Sequence, residues 1–183
     1  MKNYFLKYKP FLLFLAKFLL TYLVLTFCYQ LYLDSFNAAV FEVDSFTKSV
    51  AIQTEKLLLA FSADASVTPH LSEPSMKLFY NHEYVARVVE GCNGLSVIIL
   101  FASFVVAFTG KLRQTVLFLL SGSLLVHILN VVRIASLAYF LYHYPEQEHL
   151  LHGVLFPLCI YGVVFILWII WVNKFSLYAG KTV

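Results

Sequence analysis

The chain has 183 residues, a formal net charge of +3 and a composition that is 61% hydrophobic and 13% charged. Soluble domains are about half apolar and about a quarter charged, so this composition excludes an ordinary soluble domain. Together with the mean hydropathy of +0.79, it indicates an integral membrane protein, and we interpret residues 1–183 as one membrane-embedded domain.

The first long apolar run covers residues 11–33. About 20 apolar residues are needed to cross a bilayer, so this run predicts a membrane span. Lys2, Lys7 and Lys9 precede it, and the excess of basic residues on the cytoplasmic side predicts a cytoplasmic N-terminus. A signal peptide is the competing interpretation, but the run is too long and no small-residue cleavage site follows it.

Residues 34–91 form the one sizeable polar segment. Apolar residues recur at helical spacing over residues 45–61, which predicts an amphipathic helix capped by Asp44 or Ser45. We expect this helix to lie on the bundle or in the headgroup region, outside the cytoplasm. Residues 62–74 contain two prolines and are interpreted as a loop.

A short β-hairpin is predicted directly after this loop. Residues 77–80 and 84–89 are rich in aromatic and β-branched side chains. The two residues between them, Asn81 and His82, suit a tight turn. The hairpin would deliver the chain to the membrane surface at the start of the next span, although it is equally interpretable as a connector without a substrate role.

Three further spans are predicted at about residues 93–109, 115–142 and 149–172. With the N-terminus in the cytoplasm, every Asp and Glu falls outside, and the basic residues of the loops and the C-terminus fall inside. This bias predicts four spans with both termini cytoplasmic. These basic residues are Lys111, Arg113, Lys174 and Lys181. The predicted fold class is therefore an all-α membrane protein with an extracytoplasmic helix and hairpin.

Cys92 lies where the polar segment ends and the second span begins. This position is near the membrane–water boundary, where a thiol can ionise to the nucleophilic thiolate. Gly91 and Gly94 permit a sharp turn and the close approach of another backbone or of a substrate. The alternative is that this stretch is only a turn before a helix, with a small buried thiol.

Arg133 and a histidine are predicted at the same membrane depth as Cys92. Arg133 lies 20 residues beyond Arg113, which is about 30 Å along a helix. His149 and His152 open the fourth span and are spaced to share one helix face. In the alternative interpretation, the Arg133 side chain extends to the lipid headgroups or pairs with an acidic residue. The alternative for each histidine is that it only caps its helix or forms a hydrogen bond there.

The chemistry that these groups support is acyl transfer. A thiolate at Cys92 would attack a peptide carbonyl, and an imidazole would move the proton that the leaving amine needs. Arg133 would stabilise the thiolate or the oxyanion, and Asn93 or Asn130 would help to hold the oxyanion or orient the site. The sequence contains no metal-ligand set or phosphate-binding loop, so we expect no metal, no cofactor and no nucleic-acid partner.

The stretch from Glu90 to Leu95, the Asn-Val-Val-Arg motif ending at Arg133, and a histidine heading the next span resemble the exosortase/archaeosortase family. The short F-type exosortases (XrtF) are the most similar subgroup. The resemblance implies a transpeptidase of the bacterial cytoplasmic membrane that processes exported proteins carrying a C-terminal motif, hydrophobic helix and basic tail. It implies Cys92 as nucleophile, Arg133 as stabiliser of the thiolate or oxyanion, and a histidine as acid/base. In the family-like stretch, the spacing back from Tyr161 and Gly162 favours His152 as this histidine, with His149 as the alternate. We assign substrate-binding or supporting roles to Asn93, Gly94 and Asn130.

Two other functions fit the same sequence. One is a non-catalytic assembly or export factor that keeps the fold and binds the same protein tails. The other is a membrane thiol–disulfide protein that uses Cys92 with Cys28, which lies near the outer end of the first span. Replacement of Cys92 separates these possibilities, because a binding factor should tolerate it and an acyltransferase should not.

Overall fold

The structure is a computed structural model that describes residues 2–176, apart from the side chains of residues 2–7 and 38. Lys181, which the charge pattern assigns to the cytoplasm, lies outside the described residues, as do the side chains of Lys2 and Lys7. The described chain contains five main helices and a small sheet. The helices are α1 (Lys2–Leu33), α2 (Ser45–Ala60), α3 (Leu95–Ala107), α4 (Leu112–His143) and α5 (Pro145–Phe175).

Within residues 2–176, three helical stretches are long and apolar enough to cross a membrane. They are Tyr8–Leu33, Leu112–His143 and Pro145–Phe175, which confirms the helices predicted at 11–33, 115–142 and 149–172. Their outward faces carry many exposed apolar side chains, as expected for surfaces that face lipid. The predicted helix at 93–109 is present as α3, but its 13 residues span only about 20 Å.

Helix α3 runs antiparallel to α1. At its start, the Asn93 side-chain amide donates a hydrogen bond to the Tyr29 hydroxyl at 3.0 Å. At its end, the Phe104 and Phe108 rings lie 5.7 Å and 4.4 Å from the Phe14 ring. The stretch of α1 between these contacts is about 22 Å long. Helix α3 therefore follows α1 over most of a hydrocarbon thickness.

Helix α2 begins where the sequence predicts. The Asp44 carboxylate accepts hydrogen bonds from the backbone N–H groups of Phe46 and Thr47 at 3.0 and 2.9 Å, which confirms Asp44 as the cap. The helix packs on α4, where the His127 ring nitrogen Nε2 is 2.7 Å from Oε1 of Gln53. This contact ties the polar segment to the helix that carries Arg133.

Three antiparallel strands follow in the order β1 (Ala65–Pro69), β2 (Ser75–Tyr80) and β3 (Glu83–Val89). The predicted hairpin is confirmed as β2 and β3. Its turn residues Asn81 and His82 have φ of 49° and 65°, as a two-residue turn of type I′ requires.

The interpretation of residues 62–74 as a loop is wrong in part, because β1 lies there. Only one β1 side chain, that of Ala65, is buried, so the strand shows little of the apolar alternation that marks a strand. Its pairing with β2 forms it instead, and Pro69 is tolerated at its last position because β1 is an edge strand.

Two apolar cores share α4. The sheet-side core joins α2 and the sheet to the second half of α4, and it includes Val50, Leu58, Leu78, Val88, Ile134 and Ala138. The bundle core joins α3 and α5 to the first half of α4, and it includes Phe101, Val105, Val126, Val164 and Trp171. The chain passes from one core to the other at the turn between β3 and α3, which contains Cys92.

Candidate active site

The turn that carries Cys92 is anchored by its neighbour Asn93. The chain leaves β3, makes one 3-10 turn over Glu90–Cys92, and enters α3 at Leu95. The Asn93 side chain is fully buried. Its amide donates to Thr47 as well as to Tyr29, both at 3.0 Å, and its oxygen accepts from the Leu95 N–H at 2.9 Å. These bonds tie the turn to α1 and α2, so Asn93 orients the turn.

Asn130 ties the same turn to α4. Its side-chain amide donates a hydrogen bond to the Cys92 carbonyl at 2.9 Å. Gly94 makes this approach possible, because a β-carbon there would lie 2.9 Å from Cγ of Asn130. Gly94 also has φ of +84°, which favours glycine over any residue with a side chain. By contrast, a β-carbon at Gly91 would meet nothing within 4 Å.

Cys92 and His152 line one pocket of about 290 Å³. Cys92 is a half-buried free thiol, and the His152 side chain is exposed. His149 is also exposed, but it is not one of the residues that line this pocket. The remaining wall comes from β3, α4 and the first turn of α5: Val85, Ala86, Arg87, Val89, Leu137, Leu141 and Glu148.

The backbone around His152 is a π-helical turn, Leu151–Leu155. The N–H of Phe156 donates to the carbonyl of Leu151, five residues back. Pro157 follows and has no N–H to offer, and in a regular helix its ring would clash with the carbonyl four residues back. This proline explains the widened turn, and such turns occur frequently at functional sites.

Arg133 lies on the same α4 face as Asn130 and Leu137, at spacings of three and four residues. It lines a separate, smaller pocket of about 170 Å³ between α4 and α5, together with Phe156 and Cys159. Its Nε atom is buried without a hydrogen-bond partner. Cys92 and His152 are thus brought to one pocket, while Arg133 lines a different one with no wall residue in common.

Two charged residues of the Cys92 pocket were not predicted as site residues. Glu148 lies four residues before His152, a spacing that puts both on one helix face and offered a signal in the sequence. Arg87 lies on β3 two residues before Val89, and both line the pocket. No local pattern distinguishes Arg87 from an ordinary solvated strand residue, because its place depends on how β3 meets α4.

Glu90, two residues before Cys92, is an exposed carboxyl group whose negative charge lies near that of Asp44. Partial burial raises its pKa above the ordinary value for glutamate, and the negative charge of Asp44 raises it further. Within the described residues, the Glu90 carboxylate has no hydrogen bond or ion pair. The turn therefore places an uncompensated acidic group close to the candidate nucleophile.

The family profile described as transmembrane exosortase (Exosortase_EpsH) matches residues 6–172. This match covers nearly the whole chain, including Cys92, Arg133 and His152. No curated protein and no solved structure matches the chain. With its long apolar helices, the chain is a multi-pass membrane protein, and it belongs to the transmembrane exosortase family.

Proposed function

We propose that the protein is a membrane-embedded cysteine protease or transpeptidase that cleaves the C-terminal sorting signals of exported proteins. The pocket shared by Cys92 and His152 carries this proposal, because a thiol and an imidazole from distant segments line one surface. Family membership supports it, since exosortases are generally cysteine transpeptidases. The finer resemblance to the F-type exosortases stays a prediction.

The reaction has two steps. The Cys92 thiolate attacks the carbonyl carbon of the scissile peptide, and the His152 imidazolium gives its proton to the leaving amine. The sorting signal departs with that amine, and the exported protein remains as a thioester on Cys92. Water or an acceptor nucleophile then attacks the thioester, loses a proton to His152 and expels the Cys92 thiolate, which restores the starting pair.

Arg133 would stabilise the negative charge of the thiolate or of the tetrahedral oxyanion, because a guanidinium stays charged at any relevant pH. Its buried Nε without a partner supports a role toward a transient anion. Residues one turn to either side of Arg133 on α4 reach the Cys92 turn or pocket. Asn130 donates a hydrogen bond to the Cys92 carbonyl, and Leu137 lines the Cys92 pocket.

The proposed topology has four spans in a single domain, with both termini in the cytoplasm and the site at the extracytoplasmic face. The contacts of α3 along α1, from Tyr29 to Phe14, support the fourth span. Lys111, Arg113 and Lys174 support the orientation, since basic residues are enriched on the cytoplasmic side. Residues 34–91 would then lie outside, and a tail helix would reach Cys92 laterally through the bilayer.

The test measures intact masses of exported proteins with hydrophobic C-terminal tails in the native cell. Replacement of a catalytic nucleophile costs about 10⁴-fold or more in rate, so Cys92→Ala should leave the tails uncleaved. Cys28→Ala is the matched control, because Cys28 is an exposed thiol on α1 that lines neither the Cys92 nor the Arg133 pocket. If tails are still cleaved in cells that carry Cys92→Ala, the result favours the assembly factor. If Cys28→Ala abolishes tail cleavage as completely as Cys92→Ala does, the result favours the thiol–disulfide protein.

The two histidines form a second matched pair in the same assay. Loss of general acid–base catalysis costs about 10²- to 10⁴-fold, so His152→Ala should accumulate uncleaved protein. His149→Ala should process normally, because His149 lies outside the Cys92 pocket. The reverse pattern would assign the acid/base role to His149.

A further inference from the structure

A second, larger groove of about 660 Å³ adjoins the Cys92 pocket. Arg87 and Val89 of β3 line both cavities, and Gly91, the residue before Cys92, forms part of the groove wall. Four carboxylates and one guanidinium line this acidic groove: Glu42, Asp44, Glu73, Glu90 and Arg87. A ligand in the groove would lie beside the thioester formed on Cys92.

The charges of the acidic groove are only partly neutralised. Glu73 forms an ion pair with Arg87, and Asp44 is held by the first turn of α2. Glu42 accepts a hydrogen bond from the backbone N–H of Asn37 at 2.9 Å. Glu90 is exposed and has no comparable partner among the described residues, and the nearby Asp44 charge helps to raise its pKa. A bound cation would complement these negative charges.

Ser75 gives an independent indication that the acidic groove binds a ligand. It lines the groove, only 1% of its surface is exposed, and its Oγ has no hydrogen-bond partner. A buried hydroxyl without a partner is costly in a folded protein. A polar group in the groove, next to the carboxylates, would satisfy it.

The arrangement favours an organic cation over a metal ion. No three of the described histidine, cysteine, aspartate and glutamate side chains are grouped closely enough to hold a metal. The carboxylates instead lie along a groove that is open to the Cys92 pocket. An ammonium group on a flexible chain suits this spacing, because it needs no compact coordination shell.

We propose that the acidic groove binds the ammonium group of an acceptor amine, which resolves the thioacyl enzyme by aminolysis. This inference rests on the acyl transfer proposed above. The bound ammonium first gives one proton to solvent, because only the neutral amine is nucleophilic. The amine nitrogen then bonds to the thioester carbonyl carbon, its second proton passes to His152, and the carbon–sulfur bond breaks to release the Cys92 thiolate. The product is an amide at the new C-terminus of the exported protein.

The experiment measures how the thioester partitions between amine and water. Native membranes containing the full chain and its tailed substrates receive biotin-cadaverine, whose free amine is an ammonium at pH 7. Mass spectrometry of mature C-termini gives the ratio of biotinylated to hydrolysed product. Since charge interactions near a surface are modest, we expect Glu90→Gln to lower this ratio about three- to ten-fold. Glu42→Gln with Glu90→Gln should lower it further.

Two controls separate charge from general damage. Glu83→Gln removes an exposed carboxylate of β3 that does not line the groove, so the ratio should match that of the wild type. Hydroxylamine is largely uncharged at pH 7, so its incorporation should not respond to Glu90→Gln. A fall in hydroxylamine incorporation equal to that of biotin-cadaverine would overturn the proposal, because the effect would then not depend on ligand charge.

Three further results would overturn the inference in different ways. If the wild type does not incorporate biotin-cadaverine, or incorporates it as well as the variants do, the groove does not select an amine. If Glu90→Gln lowers tail release and leaves the ratio unchanged, the cation belongs to the sorting substrate rather than to the acceptor. If tail release is the same in the wild type and Cys92→Ala, the acyl enzyme itself is absent, and the proposed function fails with the inference.

Discussion

Gly94 meets two structural demands at once, a left-handed backbone and close contact with Asn130. A β-carbon there would strain the backbone and push the Asn130 side chain away from the Cys92 carbonyl. We expect Gly94→Ala to lower the free energy of unfolding by about 1–3 kcal/mol, the usual cost of a non-glycine residue in this conformation. The measurement is thermal unfolding of the purified protein in detergent.

Gly91→Ala is the matched control, since a β-carbon there meets nothing within 4 Å. It should leave the unfolding midpoint almost unchanged. The rate of maleimide labelling of Cys92 in the folded protein should also change in Gly94→Ala and not in Gly91→Ala. Of the two glycines, only Gly94 makes room for the Asn130 hydrogen bond that holds the Cys92 carbonyl against α4. Equal effects of the two substitutions would contradict this account of the turn.

The candidate site residues around Cys92 could be selected from the sequence, but their contacts could not. Cys92, Gly94 and Asn130 stand in motifs that are visible in the chain. The role of Asn93 depends on Tyr29 and Thr47, which lie on two other helices, and no local pattern predicts which distant side chains meet a buried amide. Likewise, helical spacing places Arg133 on the Asn130 face of α4, but only the packing of α5 determines which pocket it lines.

The last helix illustrates the same limit for a whole element. Its apolar length predicts a span over residues 149–172, and the helix is there. The π-helical turn Leu151–Leu155 is not encoded by hydropathy, because it arises from the geometry that Pro157 imposes on the preceding carbonyls. This turn changes the direction of His152 relative to the rest of α5, so we propose Pro157 as a positioning residue for the candidate site.

Pro157→Ala should separate stability from catalysis. Alanine restores an N–H and removes the ring clash, so the helix should become more regular and the unfolding midpoint should not fall. We expect tail release to fall about ten-fold or more, since displacement of a catalytic group by about 1 Å is costly. Both quantities are measured on the same membrane preparation, by tail release and by thermal unfolding.

Pro145→Ala is the control for Pro157→Ala. Pro145 is the first residue of its helical turn, where proline replaces no intrahelical hydrogen bond. Its substitution should leave tail release unchanged. Normal release by Pro157→Ala, with an unchanged or higher unfolding midpoint, would mean that the π-helical turn is not needed for the reaction.

Across the whole molecule, α4 is the element that joins the two cores. Its first half packs with α3 and α5, and its second half packs with α2 and the sheet. The local sequence pattern predicted the apolar helices from hydropathy and the hairpin from β-branched and aromatic residues around a two-residue turn. It missed β1, whose pairing with β2 and contacts with α2 are not local in the sequence, and it missed the acidic groove, whose wall combines residues from distant parts of the segment between α1 and α3.

The orientation of the whole molecule decides whether Cys92 can meet exported proteins, and two exposed leucines at opposite ends of the fold can report it. Leu71, between β1 and β2, is 89% exposed, and Leu112, at the start of α4, is 80% exposed. Each is changed to cysteine in a chain whose native cysteines are replaced by serine. In spheroplasts, a membrane-impermeant maleimide should label Leu71→Cys and should label Leu112→Cys only after lysis, because Lys111 and Arg113 flank Leu112 and basic residues are enriched on the cytoplasmic side.

Labelling in denaturant, where both cysteines must react, controls for thiol reactivity. If Leu112→Cys is labelled in spheroplasts and Leu71→Cys is protected until lysis, the orientation is reversed. The β3–α3 turn would then face the cytoplasm, since it connects directly to the sheet next to Leu71. In that case Cys92 would act before export, and cleavage of tails from proteins already outside the membrane would be impossible.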